Sequence, residues 1–253
     1  MERSTDDPRR VYPEREDTRL LLPFASASSD RMTVLDLGTG NGALALAAAR
    51  AGATVVAVDR NPHALRAVRR AARAERLRVD AVRTDLARGL GRFDRIFANP
   101  PYLPTVPDER DPDRWENLAL DGGPDGCRVT ARIVGQLAGH LAPGGVAFLL
   151  VSSVQDPERL GRIRARWAAA GGQCRVVARR RLEGEVLAVW AMSRARTRAI
   201  RPGGRRAPRP RPGTAGRRRS RPDRRYGSNP APAPGRTTVR GAASGRRRSP
   251  RGS

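Results

Sequence analysis

The sequence predicts an α/β protein built on a doubly wound, mostly parallel sheet with an antiparallel C-terminal hairpin strand. Three observations predict it. Between residues 33 and 192, apolar stretches of strand length alternate with amphipathic stretches of helix length, the pattern of successive βαβ units. The first apolar stretch runs straight into a glycine-rich loop that opens a helix. The last two strand-like stretches, 173–180 and 185–192, are separated only by a short turn, which makes them antiparallel neighbours.

Each element has its own signal. TVLDL (33–37) is a short buried strand, and ALALAAARAG (43–52) is an Ala/Leu-rich helix stopped at Gly52. TVVAVD (54–59) is rich in β-branched residues, as strands are. NPHALRAVRRAARAE (61–75) starts with an Asn cap and places Pro62 at the first helical position, where a missing N–H is harmless. RVDAVRTD (78–85) alternates like a strand, and FDRIFANPP (93–101) is a strand running to a proline pair. Residues 127–142 are helical in pattern, stopped by APGG (142–145), and VAFLLVSS (146–153) is a fully apolar strand. A helix over 156–171 and the hairpin complete the order, with no internal repeat.

Composition divides the chain of 253 residues in two. All 50 of its Lys+Arg residues are arginine, against 25 acids. Residues 1–194 hold 31 of the arginines and 24 acids, an ordinary and mildly basic domain long enough for a buried core. Residues 195–253 hold 19 arginines against Asp223 alone, with nine Pro, nine Gly and five Ser. A segment with so little to bury cannot offset the entropy of ordering, so 195–253 is expected to be a disordered tail. It reads either as an arm that neutralises nucleic-acid phosphates or as an incidental solvated extension. Only Tyr226 is there to stack on a base.

Several classes drop out. No apolar run approaches the roughly 18 residues of a membrane helix, and the opening MERSTDDPRR lacks the apolar core of a secretory signal. Two cysteines (Cys127, Cys174) and two histidines (His63, His140) do not make a disulfide framework or a dedicated metal site. A cytoplasmic, metal-free domain with a basic appendage is the expectation.

The glycine loop is Asp36-Leu37-Gly38-Thr39-Gly40-Asn41-Gly42. Glycines are needed where a strand turns sharply into a helix and a ligand approaches the backbone. Asp59 ends the next strand, 21 residues past Gly38, placed to take both ribose hydroxyls of an adenosine. Gly38-x-Gly40-x-x-Ala43 also satisfies the dinucleotide fingerprint, so the loop alone leaves NAD open. Two acids favour S-adenosylmethionine. Asp36, on the strand end, would repel a pyrophosphate but can hold a methionine amine, and Asp85 closes the third strand where an adenine amino group would lie. The plainer reading is that these acids cap helices and turns.

The fourth strand ends in Asn99-Pro100-Pro101-Tyr102. An amide or exocyclic amino nitrogen is a poor nucleophile because its lone pair is delocalised. Methylating it requires acceptors that hold both N–H groups and turn the lone pair toward an electrophilic methyl. The Asn99 side-chain oxygen and the Pro100 carbonyl can be those acceptors if the proline pair freezes the turn, and Tyr102 can cover the planar group. A proline turn with a buried tyrosine is the alternative without chemistry.

At this point the sequence resembles the HemK/PrmC-type glutamine N5-methyltransferases. VYPEREDTRLLL (11–22), VLDLGTGNGALAL (34–46), FANPPYLPT (97–105), ALDGGPDG (119–126) and SSVQDPERL (152–160) carry the resemblance over about residues 11–192. Only 32 residues precede the first strand, which leaves no room for the N-terminal helical domain of the long bacterial form. The chain is similar instead to the short archaeal and eukaryotic branch. That branch opens Tyr-x-Pro…Glu-Asp-Thr, here Tyr12, Glu16, Asp17 and Thr18, with Pro13 one place early. The resemblance implies a Rossmann-like class I methyltransferase with a seven-stranded sheet. It implies Thr18, Asp36, Gly38, Asp59, Asp85, Leu86 and Asn99 as cofactor contacts, with Asn99 serving the substrate as well. It also implies the GGQ loop of a translation release factor as substrate and, from eukaryotic members, a small zinc-binding activating partner.

Three functions follow in order. The first is a protein-glutamine methyltransferase. The second is an adenine-N6 or guanine-N2 nucleic-acid methyltransferase using the tail for phosphate affinity and a flipped base. The third is an idle basic binding module, which intact glycine and NPPY elements argue against.

Overall fold

The computed structural model describes residue 11, residues 13–106, residue 108 and residues 113–194. The expectations for Tyr12, Tyr226 and the whole of 195–253 lie outside the described residues.

Seven strands form one mixed sheet: β1 (Thr33–Leu37), β2 (Thr54–Asp59), β3 (Val79–Arg83), β4 (Phe93–Ala98), β5 (Leu141–Ser152), β6 (Gly172–Leu182) and β7 (Glu185–Arg194). Their order is β3-β2-β1-β4-β5-β7-β6. β7 runs antiparallel to both its neighbours, and the remaining pairings are parallel. The sheet is that of a class I methyltransferase, as expected. The order reverses between β1 and β4, and ligands of open α/β sheets bind at the carboxyl ends of the strands beside such a switch.

Side chains alternate across β1, so Val34 and Asp36 face one side of the sheet while Leu35 and Leu37 face the other. The first side is covered by α1 (Glu16–Ser26), α2 (Ala43–Arg50) and α3 (Pro62–Ala74), through Leu21, Ala25, Leu44, Ala48 and Val68 against Val55, Phe97 and Leu150. The second is covered by α5 (Arg128–His140) and α6 (Pro157–Ala169), through Ile133, Leu137, Ile163 and Trp167 against Leu35, Ile96 and Leu149. Local chemistry fixes two of the helix starts. The Asn61 side chain accepts from the His63 N–H (2.9 Å) with Pro62 next, and Asp156 accepts from the Arg159 N–H (2.6 Å) with Pro157 next.

Two helices go beyond the expected elements. In α1, Phe24 stacks on Phe148 (4.8 Å between ring centroids), which in turn stacks on Phe97 (5.4 Å). The helix is held by tertiary stacking, and Pro23 inside it hides it from a propensity reading. The short α4 (Arg114–Leu120) begins at Asp113, which accepts from the Trp115 N–H at 2.8 Å. One boundary also moves. The expected stop at 142–145 is the start of β5, because Leu141 already pairs with Phe93 and the ladder shifts register before Arg95. Gly145 lies so close to the Phe93 carbonyl that an added Cβ would sit 2.8 Å from it. A glycine bulge, not a helix stop, is what those residues encode. No helix of the described residues is long and apolar enough to cross a membrane.

Candidate active site

The loop after β1 spends its own N–H groups. Gly38 and Thr39 both donate to the Val58 carbonyl (2.9 Å each), and Gly42 donates to the Thr39 carbonyl (2.8 Å). Gly40 N–H reaches the Asp59 carboxylate (3.0 Å), Ala43 reaches Asn41 Oδ1 (3.0 Å) and Ala45 reaches Asp36 (3.2 Å). Dinucleotide sites keep such groups free to cradle pyrophosphate. Here they are consumed internally, and the acceptors facing the loop include two carboxylates. Two carboxylates beside a loop whose N–H groups are already bonded suit a cationic group and oppose a pyrophosphate.

Asp36 is 1 % exposed and accepts from the Thr39 hydroxyl at 2.7 Å. Burial pushes its carboxyl up to about 6, against the lowering by the Thr39 and Ala45 bonds and with a smaller push from Asp59. A cation binding beside it would relieve that cost. Asp59 is raised as well, first by burial, while the Asn61 and Gly40 N–H groups pull it down. One Asp59 oxygen takes Gly40 and the other takes Asn61 N–H (2.7 Å), so this acid fixes both the glycine loop and the start of α3. Asp85 lies in the bend after β3 and pairs with Arg132 of α5 (2.6 Å). Leu86 beside it has φ 55°, a left-handed backbone costing about 1–2 kcal/mol for a residue with a Cβ.

The NPPY turn leaves β4 with Pro100 buried and Asn99 and Tyr102 half-buried. Asn99 Nδ2 donates to the Thr18 hydroxyl at 3.3 Å. Its Oδ1 is buried and accepts from no described residue. A buried acceptor without a donor costs about 1–3 kcal/mol, and such an atom at a cavity calls for a ligand donor.

A second loop supports this turn. Gly122 N–H bonds the Leu103 carbonyl (2.9 Å) and Thr105 N–H bonds the Gly123 carbonyl (3.0 Å). Gly126, at φ 66°, passes so close to Tyr102 that a Cβ would stand 2.4 Å from the tyrosine carbonyl oxygen. Buried Gln155 then ties the loop down, donating to the Gly126 carbonyl (2.8 Å) and the Thr130 hydroxyl (3.1 Å) and accepting from Ser152 N–H (2.9 Å). The stretches at 97–105, 119–126 and 152–160 are thus one hydrogen-bonded unit.

Thr18, Asp36, Gly38, Gly40, Asp59, Asp85, Leu86, Asn99, Pro100 and Tyr102 all line a single cavity of about 840 Å³. Along the sheet order the strand ends bring Asp85 and Leu86 after β3, Asp59 on β2, Asp36 and the glycines on and after β1, and the NPPY turn after β4. Sequence reasoning missed Arg132, Gln155, and Trp115 with Leu118 on α4, which also lines the cavity. The Asp113-x-x-Glu116 capping pattern was a readable signal for α4. Gln155 lies within the 152–160 stretch that carries the resemblance, without a role assigned to it there, and nothing local signals Arg132.

Residues 16–110 match the methyltransferase small domain family. A Methanocaldococcus jannaschii protein assigned as a protein N5-glutamine methyltransferase is 38% identical over 146 residues, 57% of this chain and 73% of that one. The release factor glutamine methyltransferase of Deinococcus radiodurans is 40% identical over 187 residues, 69% of this chain but only 64% of that longer protein. Among solved structures, the E. cuniculi Mtq2-Trm112 complex, responsible for methylation of the eRF1 translation termination factor, matches with TM-score 0.56 and 28% identity. It covers 74% of this chain and 99% of that one. Sheet order, acidic glycine loop and these likenesses define an S-adenosylmethionine-dependent methyltransferase. Within that class, the chain belongs to the HemK/PrmC-type release-factor glutamine N5-methyltransferase family, in its short branch.

Proposed function

We propose that the protein methylates a side-chain amide nitrogen, that of the glutamine in a release-factor GGQ loop. The observation that carries this reading is Asn99 Oδ1, buried at the cavity and lacking a described donor. A glutamine amide brings two N–H groups and needs two acceptors on one turn. The names of the archaeal and bacterial relatives support the same acceptor.

Bound S-adenosylmethionine supplies a methyl group on a positively charged sulfur. Asp36 holds the amine, Asp59 the ribose hydroxyls, and Asp85 with Leu86 the adenine end. Gly38 and Gly40 allow close approach, and Thr18 closes the cavity near the methyl end. Asn99 Oδ1 and the Pro100 carbonyl accept the two N–H bonds, which holds the nitrogen with its lone pair facing the methyl group. Those bonds strengthen as the nitrogen gains positive charge. Pro100 and Pro101 keep the turn from yielding, and Tyr102 covers the amide face. The proton leaves to solvent after the transfer, so no strong base is required.

The reading extends to a small activating partner of the Trm112 kind, with translation in the cytoplasm as the setting. β3 ends the sheet, and its Val79, Ala81 and Val82 are only half-buried, which suits a covering chain.

The test is labelled-methyl transfer from S-adenosylmethionine by the full chain, with and without such a partner. Purified release factor, DNA and RNA are offered separately. Label is expected in the release factor and absent when its GGQ glutamine is replaced. Asn99→Ala should lower kcat by at least ~100-fold, the scale of losing one preorganised polar contact, while cofactor affinity falls less. Label in nucleic acid with none in protein overturns the glutamine assignment.

A further inference from the structure

Amide oxygen and amide nitrogen are nearly the same size, so packing alone does not decide which end of Asn99 faces the methyl acceptor. The surrounding hydrogen bonds decide it. The Asp17 carboxylate offers only lone pairs. Its Oδ1 accepts from Thr18 N–H at 2.6 Å and from the Thr18 hydroxyl at 3.3 Å. Thr18 has one hydroxyl hydrogen, and that hydrogen is directed at Asp17. The oxygen therefore shows lone pairs to Asn99, whose Nδ2 lies 3.3 Å away.

Only the NH2 end of Asn99 is satisfied by such a neighbour. Turning the amide over would set oxygen against oxygen and aim N–H groups at the acceptor's own N–H groups. Asp17 is 3% and Thr18 7% exposed, and the Asn99 Oδ1 atom is buried although the residue as a whole is half-buried, so a wrong orientation leaves buried polar atoms poorly paired. The start of α1 is also pinned. Glu16 pairs with Arg180 of β6 at 2.7 Å and with Arg19 at 3.0 Å, and Phe24 stacks on Phe148 further along.

We propose that Asp17 and Thr18 are positioning residues, a proton-directed relay that keeps the Asn99 oxygen toward the methyl acceptor and so makes the site accept only nitrogens that bring N–H groups. The inference rests on the amide-nitrogen reading of the site and adds to it how the acceptor end is chosen. It also gives the Thr18 hydroxyl a task beyond touching the cofactor. Asp17 and Thr18 lie 82 and 81 residues before Asn99 in the chain, yet they form a single hydrogen-bonded network with it.

Two readouts on the full chain test the relay, one independent of activity. The side-chain NH2 signals of Asn99, identified by their loss in Asn99→Ala, are followed by 15N–1H NMR. Thr18→Val, which keeps the shape and removes the hydroxyl, should shift and broaden them, and Thr18→Ser should restore them. In methyl transfer to release factor, Thr18→Val and Asp17→Asn should each lower kcat roughly 10- to 100-fold, the scale of misplacing one reacting group. Affinity for S-adenosylmethionine should fall by a smaller factor than kcat in both variants, with Thr18→Ser again near wild type. Unmoved Asn99 signals in Thr18→Val overturn the relay. So does a loss of cofactor affinity as large as the loss of kcat, which would make Thr18 a cofactor contact alone. A wild-type enzyme that leaves release factor unlabelled overturns the glutamine reading instead, and the NMR arm still decides the relay.

Discussion

Gly126→Ala is the sharpest perturbation of the architecture around the NPPY turn. Gly126 holds φ 66°, which costs an alanine about 1–2 kcal/mol. The new methyl would stand 2.4 Å from the Tyr102 carbonyl oxygen and 3.2 Å from Gln155 Cγ. The first contact is with backbone that has no rotamer to change. Overpacking of this kind costs about 1–3 kcal/mol, so the total is roughly 2–5 kcal/mol. That is below the roughly 5–15 kcal/mol that holds a domain together, and the protein should still fold. At about 2–4 °C per kcal/mol for a domain of this size, Tm should fall by roughly 4–20 °C. The strain is released by moving Tyr102, two residues from Pro100 and three from Asn99, and a shift of about 1 Å in a positioning element can cost ~100-fold in rate. Gly135→Ala is the control. Gly135 lies exposed in α5, and a Cβ there meets nothing within 4 Å, so the exchange should stabilise by about 0.5–1 kcal/mol and leave kcat alone. Differential scanning calorimetry and steady-state methyl transfer on both variants decide the matter. A Gly126→Ala protein with the Tm and kcat of wild type would refute the buttress reasoning.

Asp59→Ala removes the proposed ribose contact and also frees the Gly40 N–H. Affinity for S-adenosylmethionine by calorimetry should fall by at least ~10-fold, on a charged hydrogen bond contributing about 1.5–3 kcal/mol, and an unchanged value would reject the assignment. Cofactor binding should also depend on pH. A carboxyl with a folded pKa of about 6, above its ordinary 3.8, contributes stability that is present below 3.8 and lost as pH rises through 6. A bound cation favours the charged form, so affinity should rise with pH through about 6 and level off above it; a flat profile from pH 5 to 7.5 would show that Asp36 does not hold the amine. A chain ending at residue 194 should methylate release factor at the rate of the full chain. If it instead loses methylation of nucleic acid, the 19 arginines beyond that point serve a phosphate-bearing substrate.

What the residues determine on their own is whatever depends on near neighbours in sequence. Alternating apolar runs set seven strands, the Asn61-Pro62 and Asp156-Pro157 caps set two helix starts, and the glycine loop with its acids marks the end proposed for the cofactor. Each is a property of a dozen residues or fewer, because periodicity and capping act over a turn or a strand. The motif NPPY likewise points to an amino-nitrogen acceptor, since a rigid turn with adjacent acceptors is a local object. Tertiary structure decided what those objects touch. α1 exists as placed because Phe24 finds Phe148, which brings the Thr18 hydroxyl to Asn99 across 81 positions. The LDGGPDG stretch acquires its meaning from Gly126 passing close to the Tyr102 carbonyl and from Gln155 bonding the Gly126 carbonyl. The start of β5 moved to Leu141 because a partner strand outweighed a helix-stop signal. Hydrogen-bond direction in a buried network depends on every member at once, and no window of sequence contains Asp17, Thr18 and Asn99 together.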